Sequence, residues 1–152
     1  MVRTMFCLLL GLSMLSLLSG CASGPTYKDM HSGLAMPAPG NGRIFVYRSN
    51  SPLGMAIQPE VKLDENWVMG HAQPGGFFYA DCPVGSHTLS CTTETECKAT
   101  VPVAPGAASF VRLEPQIGLV VGHIQPVAVD PTQGEKEIQG YHYIGPAQQP
   151  AN

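Results

Sequence analysis

Five cysteines and five histidines are the residues of this 152-residue chain best suited to covalent, acid–base or metal chemistry. The cysteines are Cys7, Cys21, Cys82, Cys91 and Cys97; the histidines are His31, His71, His87, His123 and His142. Cys21 closes the stretch Leu18-Ser19-Gly20-Cys21 at the end of an apolar run. Cys82, His87, Cys91 and Cys97 are near enough in sequence to be drawn as a metal site. Their spacing, Cys-x4-His-x3-Cys-x5-Cys, lacks the close cysteine pairs of a structural zinc site. A disulfide plus a histidine bonded to its preceding turn accounts for the same residues, and no metal or other cofactor is expected.

Cys82 and His87 also make a poor nucleophile and base, because Asp81 beside Cys82 opposes thiolate formation. The remaining histidines fall on loops and chain ends without ligand or triad spacing. Asp64 and Glu65 share a polar turn and read as solvated. Pro74-Gly75-Gly76 lacks the helix and lysine that a phosphate-binding loop needs. No catalytic residue emerges, and the chain is not expected to be an enzyme.

Arg3 is the only charge ahead of Cys21, and Met5–Leu18 is almost wholly apolar. About 14 apolar residues are fewer than the ~20 of a spanning helix. Charged start, short apolar middle and small residues at the end are the parts of a secretory signal peptide over residues 1–20. Leu18-Ser19-Gly20-Cys21 resembles the lipobox of bacterial lipoproteins at all four positions. The resemblance implies that Leu18, Ser19 and Gly20 guide the signal peptidase. It implies that Cys21 is alkylated by diacylglycerol, becomes the new N-terminus and is acylated on its amine. Acyl chains contribute ~0.8 kcal/mol per buried methylene, so three of them, a palmitate-type anchor, hold a protein stably on a membrane. Ala22 in place of aspartate implies the outer membrane, with the protein facing the periplasm. Two competing readings are an ordinary N-terminal anchor helix and a cysteine that merely adjoins a signal peptide.

Composition bounds the remainder. Only 12% of residues are charged, the net charge is −3, and Gly (17) and Pro (14) are abundant. The chain is too apolar for a disordered polyelectrolyte and too turn-rich for a helical bundle. It has no basic cluster, which disfavours nucleic acid and basic docking onto anionic lipid. Residues 21–41, punctuated by Gly, Pro and Ser, read as a lipidated N-terminus and flexible tether on which Tyr27, Met30, Leu34 and Met36 could pack loosely.

From Arg43 the chain reads as short strands. Arg43–Arg48 is apolar on both faces, as an interior strand would be. Glu60–Leu63, a turn at Asp64-Glu65-Asn66 and Trp67–Gly70 form a hairpin. Further strands are expected at Phe77–Asp81, Ser86–Thr92, Cys97–Val103, Ser109–Leu113, Ile117–Val121 and Pro126–Asp130. Pro131–Gln139 is the one helix-compatible piece, and Tyr141–Ile144 adds a last contact. The expected fold is all-β: a single small antiparallel β-sandwich of seven to nine strands over 42–145, with a short C-terminal helical turn. Residues 146–152 read as a disordered tail.

Gly42–Arg48, Val61-Lys62-Leu63-Asp64 with Gly70, Gly76–Tyr79, Pro83–Leu89 and Ile124–Asp130 occur in an order that resembles a known family. It is a bacterial domain-of-unknown-function family of small predicted lipoproteins. The hairpin and the Pro83-Val84-Gly85-Ser86-His87 part are also similar to PEGA domains, small β modules of the bacterial envelope. Asp64-Glu65 stands where those hairpins usually have Asp-Gly. The resemblance implies a β-sandwich in the cell envelope and no assigned activity.

In the oxidising setting of an exported protein, Cys82, Cys91 and Cys97 are available to pair. Cys91 and Cys97 share inward parity on neighbouring strands and face each other across a hairpin turning near Glu94, so a Cys91–Cys97 disulfide is favoured. Cys82 then reads as a small buried residue, although it could take one partner instead. Trp67, Phe77 and Tyr79, with Phe78, concentrate the aromatics. Core packing is the first reading, and a partner surface for a protein or glycan is the second. The function expected is a lipid-anchored, non-catalytic binding or structural module that meets an unknown envelope protein or polymer. The alternatives are a carrier of a small ligand between the sheets and, further off, a Cys/His-dependent enzyme.

Overall fold

The structure is a computed structural model and describes residues 22–120 and 122–145. Nine strands make two stacked sheets: β1 Asn41–Arg48, β2 Glu60–Leu63, β3 Trp67–His71, β4 Gly76–Pro83, β5 Gly85–Thr92, β6 Glu96–Val103, β7 Ala108–Gln116, β8 His123–Val129 and β9 His142–Tyr143. The helices are α1, Tyr27–Met30, followed by a 3-10 turn at His31–Gly33, and α2, Pro131–Ile138. One sheet runs β8-β7-β1-β4-β9 and the other β3-β2-β5-β6. The expected all-β sandwich with a C-terminal helix is therefore what the chain forms.

Strand β1 lies at the centre of the larger sheet and is covered on both faces, as its unbroken apolar run requires. Ile44 and Val46 point with Phe78, Val111 and Leu113 into the space between the sheets. Val61, Leu63, Leu89 and Val101 meet them from the smaller sheet, all with no more than 1% of their surface exposed. Side chains fill that space. Phe45, Tyr47, Phe77 and Phe110 point the other way and form a second core with Tyr27 and Ile138. The sandwich thus carries a third layer, made by the two helices.

That third layer corrects the reading of residues 21–41 as a tether. Thr26 caps α1 by accepting from the Asp29 amide, and Tyr27 is buried edge-on against Phe45 and Phe77, with ring centroids 5.2 and 5.6 Å apart. The Tyr27 amide donates to Tyr141 and the Tyr143 amide to Pro25. Met30 and Leu34 pack on the same core, while Met36 is exposed. Glycine, proline and serine signalled irregular backbone correctly, but Tyr27, with Met30, Leu34 and the backbone bonds to Tyr141 and Tyr143, docks it. Met1–Cys21 and the 146–152 tail lie outside the described residues.

Two further differences concern pairing. Strand β1 runs parallel to β7, and β4 parallel to β9, where a fully antiparallel sandwich was expected. Parallel neighbours need a long crossover; β4 and the whole smaller sheet lie in the connection from β1 to β7, and α2 lies on the way to β9. Ile117–Val120, expected to be a strand, is a loop between β7 and β8, with Ile117, Leu119 and Val120 in solvent.

Helix α2 starts where Asp130 accepts from the Thr132 and Gln133 amides, with Pro131 in its first turn. Glu135 accepts the Tyr27 hydroxyl at 2.7 Å, and Glu137 accepts that of Tyr47 at 2.6 Å. Arg112 bridges Glu137 to Glu114. Gly134 lies directly on Phe110, where a Cβ would come within 2.4 Å of the phenylalanine.

Candidate functional site

Leu18, Ser19, Gly20 and Cys21, the residues on which the lipid reading rests, fall outside the described residues. The chain is fastened soon after them. The Gly24 carbonyl accepts from His142 Nδ1 at 2.6 Å. The His142 amide donates to Gly75, and the Gly75 amide to Arg48, at 2.9 and 3.0 Å. These three bonds run along one end of the larger sheet, from the entering chain to the last residue of β1. Cys21 is therefore three residues from fixed structure, a span of at most ~10 Å.

Arg48 organises that end. The residue is 1% exposed, and among the described residues its guanidinium has no carboxylate partner. It donates instead to the carbonyls of Ile57, Ala72 and Gly54, the last two at 2.5 and 2.6 Å. Burial pulls its pKa below the usual arginine value. One side chain thus fastens the β1–β2 loop and the chain after β3. Nothing in the sequence distinguished Arg48 from Arg43, whose guanidinium forks onto Asp81 at 2.6 and 2.8 Å and lies over the Tyr79 ring.

The opposite end holds a second polar cluster. His87 Nδ1 lies 2.6 Å from Asp64 Oδ2, and Nε2 lies 2.7 Å from the Pro83 carbonyl. The Thr88 amide donates to Asp64 Oδ1 at 2.9 Å. An acceptor at each nitrogen favours the doubly protonated imidazole. The histidine does reach back to the turn before it, as its place in the sequence suggested. Asp64 and Glu65 both sit at positive φ, 48° and 67°, a conformation non-glycine side chains disfavour, so the clamp holds a strained turn.

Burial alone would lower the His87 pKa, but the Asp64 carboxylate and Pro83 carbonyl together outweigh it and the net shift is upward. The His87 hydrogen bond, followed by the Thr88 amide, holds Asp64 below the ordinary carboxyl value. The stabilisation from His87 is complete below its unfolded pKa of about 6.5 and is lost as pH rises through the higher folded value. That from Asp64 is present above about 3.9 and lost as pH falls through its depressed folded value. Asp64 is half-exposed, which discounts the pair. His87→Ala is expected to cost about 1 kcal/mol at about pH 5.5, with the gap to wild type narrowing above pH ~7. Urea unfolding across that range checks it; a gap that does not change with pH contradicts it.

Strand register sets Cys91 opposite Cys97, as expected, and Cys82, Cys91 and Cys97 are all buried, unbridged thiols in this structure. Desolvation pushes Cys82 up to about 11 and Cys91 up to about 12, with Cys97 adding to the latter. Neither is an activated nucleophile. Opposed Cα atoms on antiparallel strands are ~4.5–5.5 Å apart, inside the bridgeable range. In an oxidising setting Cys91 and Cys97 are expected to join, stabilising the domain by about 2 kcal/mol. Non-reducing peptide mapping checks the pairing, and a linked peptide containing Cys82 contradicts it.

The aromatic patch does not assemble. Phe77 is fully buried beneath Tyr27, and Tyr79 is half-buried under Arg43, both on the outer face of the larger sheet. Trp67 stands on edge strand β3 of the other sheet, 46% exposed beside Val68. Only Trp67 of the three is left for a partner, because the docked N-terminal segment covers the others' face.

The outer face of the smaller sheet holds a hollow of about 300 Å³ lined by Glu60, Lys62, Ser90, Glu96 and Lys98. Its lysines pair with neighbouring glutamates at 3.2 and 3.1 Å, exposed contacts that contribute little. Among the described residues no three His, Cys, Asp or Glu side chains gather as metal ligands. No described helix is long and apolar enough to cross a membrane. The fold and site define a three-layer β-sandwich with polar clusters at both ends. No family model, curated protein or solved structure matches the chain.

Proposed function

We propose that this chain is a bacterial envelope lipoprotein, anchored by acyl chains on Cys21. It acts as a non-catalytic binding or structural module on the periplasmic side of the outer membrane. The observation that carries this reading is Leu18-Ser19-Gly20-Cys21 at the end of an apolar run with a single leading charge. The early start of fixed structure supports it, since lipid on Cys21 would hold the sandwich directly at the bilayer instead of on a long leash. Exposed Trp67, Val68 and Val84 are the apolar side chains near the His87 end that an envelope protein or polymer could cover.

The test compares wild type with Cys21→Ser in cells, using a fatty-acid probe and a photo-crosslinking residue at Val84. Wild type is expected to take the probe and capture an envelope component; Cys21→Ser takes no probe. Label on Cys21→Ser overturns the anchor. An anchored wild type that captures lipid alone overturns the module reading.

A further inference from the structure

We propose that the end of the sandwich bearing the β1–β2 and β7–β8 loops is a membrane-docking surface whose occupant is the interfacial layer of a phospholipid bilayer. The inference rests on the Cys21 anchor and adds a second, non-covalent contact with the same membrane.

Two loops present the apolar side chains. Ile117, Leu119 and Val120 in the β7–β8 loop are 84%, 101% and 89% exposed, and Leu53 and Met55 in the β1–β2 loop are 48% and 49% exposed. The loops touch: a Cβ on Gly54 would sit 3.3 Å from Pro115, and one on Gly122 would sit 3.2 Å from Ile57. Residues 49–59 and 115–122 contain no Asp, Glu, Lys or Arg. The loop segments themselves carry no charged side chain, although the exposed Glu94 carboxylate adjoins them, and five exposed apolar side chains gathered so are unusual on a surface that meets only water.

The display is held in place. Glu94, in the β5–β6 turn, accepts from the Leu119 and Val120 amides at 3.0 and 3.1 Å. Gly118 leaves room for that carboxylate, since a Cβ there would lie 1.8 Å from Glu94 Oε1. Arg48 fixes the other loop through the Gly54 and Ile57 carbonyls. With the loop backbone held by these bonds, the side chains of Leu119 and Val120 stand in solvent.

The place where the chain enters selects lipid as the occupant. Gly24 is bonded to His142 at this same end, and three residues separate it from Cys21. Strand β9 and strand β7 are three inter-strand steps apart, about 14 Å. A bilayer holding acyl chains on Cys21 is therefore within reach of both loops, and apolar side chains commonly settle ~5–10 Å into the headgroup boundary. Trp67, which pairs with Leu63 towards the turn that His87 closes, lies away from it.

The test reads the depth of tryptophan. Trp67 is the single tryptophan of the chain, so Leu119→Trp with Trp67→Phe moves the only indole onto the loop. Leu119 is fully exposed, so the change disturbs no packing. The full-length protein, taken from membranes, is placed in vesicles of phosphatidylethanolamine and phosphatidylglycerol whose acyl chains carry bromine. Intact mass reports acylation separately. The Leu119→Trp indole is expected to lose about half of its emission or more, while wild-type Trp67 keeps most of its own. Unchanged emission from Leu119→Trp in an acylated chain overturns the docking surface and leaves the anchor standing. A chain without acyl mass overturns the anchor. Quenching of Leu119→Trp on adding vesicles would then still support the loop, and no quenching would overturn it.

Discussion

Arg48→Met lowers the unfolding free energy by about 3 kcal/mol, because it leaves the carbonyls of Gly54, Ile57 and Ala72 without their donor. Two terms oppose each other. Burying a guanidinium without a carboxylate is unfavourable, as its lowered pKa reflects, and Arg48 Nε finds no acceptor. Methionine removes that cost and fills much of the same volume. Each charge-assisted bond to a carbonyl, however, contributes about 1.5–3 kcal/mol, and three are lost together. Loop carbonyls regain water only if the β1–β2 loop moves outward, so the deficit is expected to appear there first. Urea unfolding measures the global effect, and limited proteolysis within residues 49–59 measures the local one. A midpoint equal to wild type with an intact loop contradicts this account of Arg48.

Gly134→Ala destabilises the protein by about 2 kcal/mol even though alanine is the better helix former. Helix propensity favours the substitution by about 1 kcal/mol. Against it, the new methyl would lie 2.4 Å from both Cβ and Cγ of Phe110, which is 2% exposed and stacked on Phe45 at 5.3 Å. Phe110 has no room to retreat, so α2 must lift and strain the Tyr27–Glu135 and Tyr47–Glu137 bonds. Amide exchange in α2 is expected to accelerate more than in β1. Adding Phe110→Ala removes Cγ and the ring, two of the three close contacts, so the double variant loses less than the two single losses combined. Strict additivity contradicts close packing as the cause.

Much of the architecture was legible because it comes from patterns of two. The unbroken apolar run of β1 marked it as the covered central strand, and the hairpin closed at Asp64 was readable from the alternation of Glu60–Leu63 and the polar turn after it. Facing parity set Cys91 against Cys97. Pro131 after Asp130 marked the start of α2.

The misreadings share a cause, since each concerns the layer on top of an element. Residues 21–41 have the composition of a linker, and only tertiary contact with Phe45 and Phe77 shows that Tyr27 belongs to a core. That same contact removes Phe77 from any outer surface. Ile117–Val121 has the composition of a strand, yet Glu94, 25 residues away from Leu119, captures the amides that strand pairing would use. Arg48 looked like the polar end of a strand and is among the largest fully buried side chains. Buried cations and apolar loops break the inside–outside rule by which a sequence is read.

Lipid attachment at Cys21 is the claim on which location, orientation and the loop surface depend. Intact-mass measurement of the protein extracted from bacterial membranes tests it most directly. The proposed function predicts a chain that begins at Cys21 and carries the added mass of a diacylglyceryl group and an amide-linked acyl chain. A chain that retains Met1–Gly20, or one with an unmodified thiol at Cys21, contradicts it.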